Sequence, residues 1–86
     1  MPYNVIFDDK VTRKDILAVP KANAVQIMRA ISERLTVDPE GIGKPLQYSL
    51  KGHYRLRVGD WRIIYMVKGN TVIISSIGNR KDVYDS

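Results

Sequence analysis

The chain has 86 residues, 44% of them hydrophobic and 27% charged, a composition that suits one globular domain and leaves no room for two. It holds no cysteine, so disulfide staples, thiolate zinc sites and thiol nucleophiles are excluded together. The net charge of +5 falls wholly on residues 42–86, because residues 1–41 carry six basic and six acidic side chains. Such an asymmetry suits a polyanionic partner, a nucleic acid or an acidic protein, although a solvated surface with a basic bias would look the same.

The opening Met1-Pro2-Tyr3-Asn4-Val5 has no basic region leading into an apolar one, and no apolar run approaches a membrane span. The expectation is a cytoplasmic protein with no membrane contact. Residues 3–8 alternate as a strand does, with Tyr3, Val5 and Phe7 on one side. A short helix over residues 10–18 follows and stops before Pro20, which disfavours helical geometry in the residue ahead of it. Pro20 suits the first turn of a second helix, where its missing N–H costs nothing. In that helix Ala24, Ile27, Met28, Ile31 and Leu35 fall on one stripe, with Met28 expected to fill the core, and Asp38-Pro39 closes it.

From residue 54 the pattern changes to strands. Tyr54-Arg55-Leu56-Arg57-Val58 alternates, Gly59-Asp60 makes a two-residue turn, and Trp61-Arg62-Ile63-Ile64-Tyr65 begins the return. A second turn at Gly69-Asn70 leads into Thr71-Val72-Ile73-Ile74-Ser75-Ser76-Ile77. The fold expected is α+β, an N-terminal strand and two helices packed on one face of an antiparallel sheet that a three-stranded meander completes.

The first turn fixes a register. Val58 should face Trp61, Leu56 Ile63 and Tyr54 Tyr65, all toward the helices. Arg57 then lies directly opposite Arg62 on the other face, with Arg55 beside them. Like charges placed across strands destabilise a sheet, so three guanidiniums there point to a site, with a merely solvated face as the bland alternative. If both turns have two residues, Ile64, Met66, Ile73 and Ile77 share that face and form an apolar patch for a partner.

Leu50-Lys51-Gly52 followed by Tyr54-Arg55-Leu56-Arg57-Val58-Gly59-Asp60-Trp61-Arg62-Ile63-Ile64-Tyr65 resembles the signature region of the RelE/ParE toxin superfamily. Ile77-Gly78-Asn79-Arg80-Lys81-Asp82-Val83-Tyr84 resembles its C-terminal motif, and the order of elements is similar along the whole chain. RelE-like members cleave mRNA in the ribosomal A site, ParE-like members poison DNA gyrase, and a cognate antitoxin restrains both. The resemblance implies a toxin that acts as a ribosome-dependent endoribonuclease, with Arg55, Arg57, Arg62, Arg80 and Tyr84 in the catalytic positions. It also implies that Lys51, His53 and Lys81 bind RNA, that a RelB-like antitoxin is the partner, and that operator DNA is met only through the antitoxin complex. A gyrase poison and an inactive antitoxin-binding member remain as alternatives.

Two departures bear on mechanism. RelE itself carries lysines where this chain has Arg55 and Arg57, and many relatives carry histidine where it has Asn79. Metal-independent cleavage by a neighbouring 2′-hydroxyl needs donors for the growing phosphorane charge, which three guanidiniums supply. It also needs proton transfer, which arginine cannot perform. Tyr84 could orient or deprotonate the hydroxyl, and Arg80 is implied at the leaving oxygen. His53, the only histidine, has the reference pKa for a general base, yet a lone histidine after a glycine is more often a surface residue. Gly41-Ile42-Gly43 lacks the glycines of a phosphate loop, no metal-ligand spacing occurs, and no cofactor is expected.

Overall fold

Alternation sets in where turn glycines separate it, and the sheet is built there. In the computed structural model, which describes residues 2–79, β1 (Asn4–Phe7) comes first, then a widened π-type helical stretch, Val11–Asp15, running into a 3-10 turn, Ile16–Ala18. Helix α1 (Lys21–Ala30) continues through a second widened turn, Ile31–Leu35, and is followed by the single-turn helix α2 (Pro39–Ile42) and the two-residue strand β2 (Lys44–Pro45). A 3-10 turn, Tyr48–Leu50, precedes β3 (His53–Val58), β4 (Trp61–Lys68) and β5 (Thr71–Asn79). The strands form one sheet in the order β1-β5-β4-β3-β2.

The expected α+β architecture and its antiparallel meander are present, but the sheet is mixed. β1 runs parallel to β5, pairing Asn4 with Thr71 through Phe7 with Ile74. Alternation shows which residues share a side and carries no information about strand direction, so a parallel partner could not be read from residues 3–8.

The β3–β4 register is the one the turn dictates: Val58 opposite Trp61, Leu56 opposite Ile63, Tyr54 opposite Tyr65, and Arg57 opposite Arg62. Gly59 supplies the positive φ, +62°, that a two-residue hairpin turn requires. Leu56, Ile63 and Tyr65 are buried in one cluster with Ile27, Ile31 and Leu35 from the helices, and Val5 and Phe7 of β1, with Tyr3 just before it, pack against it. The helices therefore cover one face of the sheet and leave the arginines on the other.

Three helical details differ from the sequence reading. Pro20 is the cap ahead of α1, its extended backbone lending a carbonyl to the Ala24 N–H at 2.9 Å, and does not occupy the first turn. Asp38-Pro39 opens α2 as well as closing the preceding helix: Asp38 accepts from the Gly41 N–H at 3.1 Å, and Pro39 occupies the first turn. Met28 lies on the apolar stripe of α1 yet is 42% exposed, while Ile27 and Ile31 of the same stripe are buried. It lines an apolar groove with Phe7, Val11, Thr12 and Ile16.

Tyr65 ties the core to α2. Its side chain is fully buried, its hydroxyl donates to the Pro39 carbonyl at 2.6 Å, and its ring stacks on Tyr54 with centroids 5.6 Å apart. Gly43 lets the chain pass this hydroxyl, since a Cβ there would overlap it. Burial first, then the neighbouring Tyr54 and Asp38, push the Tyr65 pKa above the ordinary 10.0. A raised pKa in the folded state means that its contribution to stability is complete below pH 10.0 and falls away as the pH climbs from there. In urea melts at increasing alkalinity, the wild type should lose stability more steeply than Tyr65→Phe above that point. Parallel losses in the two proteins would mean that Tyr65 is not the group titrating.

Candidate nucleic-acid interface

On the face opposite the helices, backbone pairing arranges side chains in rows across the strands. One row holds Arg57, Arg62 and Gly78; the next holds Lys44, Arg55, Ile64 and Ser76. A third holds His53, Met66, Ile73 and Ile6. Three of the expected site residues, Arg55, Arg57 and Arg62, thus stand together, with Arg57 exposed and the other two half-buried. Desolvation, then the charges of Arg62 and Arg57, lower the Arg55 pKa, although a guanidinium starts so high that it stays charged. The like-charge cluster that folding disfavours is therefore present and electrostatically felt.

The β4–β5 pairing contains an irregularity that the sequence did not disclose. Tyr65 pairs with Ile74 but Ile64 pairs with Ser76, so Ser75 is the extra residue of a bulge. Beyond it every side chain of β5 changes face. Ile77, expected on the arginine face, is 3% exposed in the core, and Gly78 takes its place opposite Arg62. The bulge removes an isoleucine from the arginine row and places a residue with no side chain opposite Arg62. Asp15 secures the shifted strand: its carboxylate accepts from the Ile77 N–H at 2.9 Å and from Lys10 Nζ at 3.0 Å.

The expected apolar patch is smaller for the same reason. Ile64 is 3% exposed, while Met66 and Ile73 are half-buried beside the exposed Ile6. Lys44 was missed. Lys-Pro reads as loop, and only its pairing opposite Arg55 adds a fourth cation to this face. Tyr48 was also missed; it is 78% exposed and held at φ +60°, a backbone conformation rare for a side-chain-bearing residue.

His53 begins β3 on the arginine-bearing side, opposite Met66, and its Nδ1 is buried with no hydrogen-bond partner among the described residues. Lys51 is exposed in the turn just before it. Asn79 pairs with Trp61 and so shares its row with the core-facing side, away from Arg62. Arg80, Lys81 and Tyr84 lie outside the described residues. Among the described residues, no three histidine, cysteine or carboxylate side chains gather where they could hold a metal ion, and no helix is long and apolar enough to cross a membrane.

Residues 5–84 match the family model described as the ParE toxin of the type II toxin–antitoxin system parDE. The chain is 30% identical to toxin RelG of Mycobacterium tuberculosis over 98% of both proteins. To toxin RelE of the same organism it is 30% identical across 77% of this chain and 67% of that protein. Among solved structures, the RelBE2 toxin–antitoxin complex of M. tuberculosis contains a chain that superposes with a TM-score of 0.86 at 28% identity, over 93% of this chain and all of that one. A chain of the RelB–RelE complex of Methanococcus jannaschii gives 0.73, also at 28% identity, over 92% and 94%. With the mixed sheet, the helices on one face and the arginines on the other, these likenesses fix the family: the chain belongs to the RelE-like toxins of the RelE/ParE superfamily, in the type II toxin–antitoxin class.

Proposed function

We propose that this toxin is an endoribonuclease that cuts mRNA in the ribosomal A site and needs no metal ion. The observation that carries the reading is Arg57 directly opposite Arg62, with Arg55 in the adjoining row, on the sheet face that the helices leave open. In this reading the 2′-hydroxyl attacks the adjacent phosphorus in line, and the 5′-oxygen leaves with a proton. Guanidinium forks on a rigid sheet donate to the equatorial oxygens as their charge grows, and Gly78 sets no side chain opposite Arg62. Tyr84 holds or deprotonates the 2′-hydroxyl, Arg80 stands at the leaving oxygen, and Lys51, His53, Lys81 and Lys44 hold the flanking strand. Since arginines move no protons, the ribosome must arrange the RNA, and free RNA is a poor substrate.

The partner in this proposal is a RelB-like antitoxin, by analogy with the RelB–RelE complexes of M. tuberculosis and M. jannaschii. It neutralises the toxin by covering part of the arginine face or displacing the 80–84 segment. Hydrogen exchange on the complex should show β3 and β4 protected relative to free toxin. An antitoxin that leaves both the face and the tail open would require another account of inhibition.

Gyrase poisoning is the second reading, favoured by the ParE description of the matching family. Inducing the toxin and mapping mRNA 5′ ends on translating ribosomes separates the two. Cuts within translated codons are expected. Intact mRNA together with trapped gyrase–DNA complexes would replace the nuclease by the gyrase poison.

A further inference from the structure

A cleft of about 240 Å³ opens where α1 and its continuation pass the β3–β4 turn. Arg29, Glu33 and Arg34 line it from the helical side, and Arg57 and Gly59 from the sheet. Because β2 pairs only with Tyr54 and Arg55, the end of β3 is an open edge, so Arg57 reaches both the arginine face and this cleft. All three arginines are exposed, and among the described residues none of them takes part in an ion pair. Glu33 follows Arg29 by one helical turn, the spacing at which such residues commonly pair, yet the two remain apart.

We infer that this cleft is a second RNA subsite, which takes a backbone phosphate of the strand that continues past Arg57 around the edge of the sheet. The inference rests on the nuclease reading for the identity of the strand. Its chemistry follows from the lining: two helical arginines and Arg57 border a cleft with ample room for a phosphate, and guanidinium forks pair with phosphate oxygens bidentately. Glu33 distinguishes the ligand further. Its carboxylate can accept a hydrogen bond from a ribose 2′-hydroxyl, a donor that the ionised side chains of an acidic protein segment lack. Continuity through Arg57 makes the cleft an extension of the arginine face.

The test uses a fluorescein-labelled single-stranded RNA oligonucleotide, with anisotropy read across a salt series, and programmed ribosomes for cleavage. Arg29→Ala and Arg34→Ala alter exposed helical positions where alanine is well tolerated, and thermal melts check that folding persists. Lys68→Ala, at the far end of β4, removes one charge remote from the cleft and serves as the control. Each arginine variant should weaken RNA binding about threefold to fivefold. The slope of log affinity against log salt should fall by about 0.7 per lost contact.

If affinity and slope stay at wild-type values in both variants while Arg57→Ala weakens binding, the cleft is not a subsite and the nuclease reading stands. An equal loss in Lys68→Ala would reduce the effect to bulk charge and overturn the proposal, as would weakened binding of an acidic antitoxin peptide with RNA binding intact. If the wild type cuts no mRNA on ribosomes but both cleft variants lose RNA affinity, the subsite survives and the nuclease reading fails.

Discussion

Replacing Arg62 with alanine is expected to lower mRNA cleavage on programmed ribosomes by about 10²–10³-fold, the effect of losing one preorganised donor to the transition state. Folding should survive. Arg62 lies directly opposite Arg57, and the alanine relieves that like-charge pairing and leaves the core-facing row of Leu56 and Ile63 intact. Arg62→Lys keeps the charge but loses the planar fork, so its activity should fall between the two. Tyr84→Phe is the companion variant: in the nuclease reading cleavage should drop while antitoxin binding persists, and because a gyrase poison or an inert binder has no use for that hydroxyl, the drop separates the readings. Full cleavage and growth arrest by both Arg62→Ala and Tyr84→Phe, with unchanged melts, would mean that the arginine row is not the site.

Tyr65→Ala should be the most damaging single change to the fold. Deleting a fully buried aromatic side chain costs about 3–5 kcal/mol. A domain of 86 residues has only about 4–13 kcal/mol of total stability at the usual ~0.05–0.15 per residue. Tyr65→Phe keeps the ring and its stacking on Tyr54 but leaves the Pro39 carbonyl without its donor, a loss of about 1–3 kcal/mol. Urea unfolding of the two variants should therefore differ widely. Near-equal midpoints would show that the hydroxyl carries most of the effect and that the cavity left by the ring collapses.

The hairpin was legible because its determinants are local. Gly59-Asp60 allows one turn length, that length fixes the register, and strict alternation then assigns Leu56 and Arg57 to opposite faces. The cluster of Arg55, Arg57 and Arg62 followed directly. Ile77 was misplaced because a run of β-branched residues and serines fits either face, and nothing in Ile74-Ser75-Ser76-Ile77 announces an unpaired residue. Lys44 escaped notice since a two-residue edge strand has too little sequence to alternate. Met28 shows the limit of a helical wheel: it gives the direction of an apolar stripe and not how wide a surface waits opposite it.

The pairing of Asn4 with Thr71 also has a consequence for synthesis. The hairpin bearing the three arginines closes between neighbours in sequence and can form as soon as it leaves the ribosome. β1, made first, has no partner until Thr71–Ile74 has been translated, and closing so large a loop is slow. The parallel pairing of β1 with β5 therefore makes the intact domain wait until nearly all of the described chain has been made.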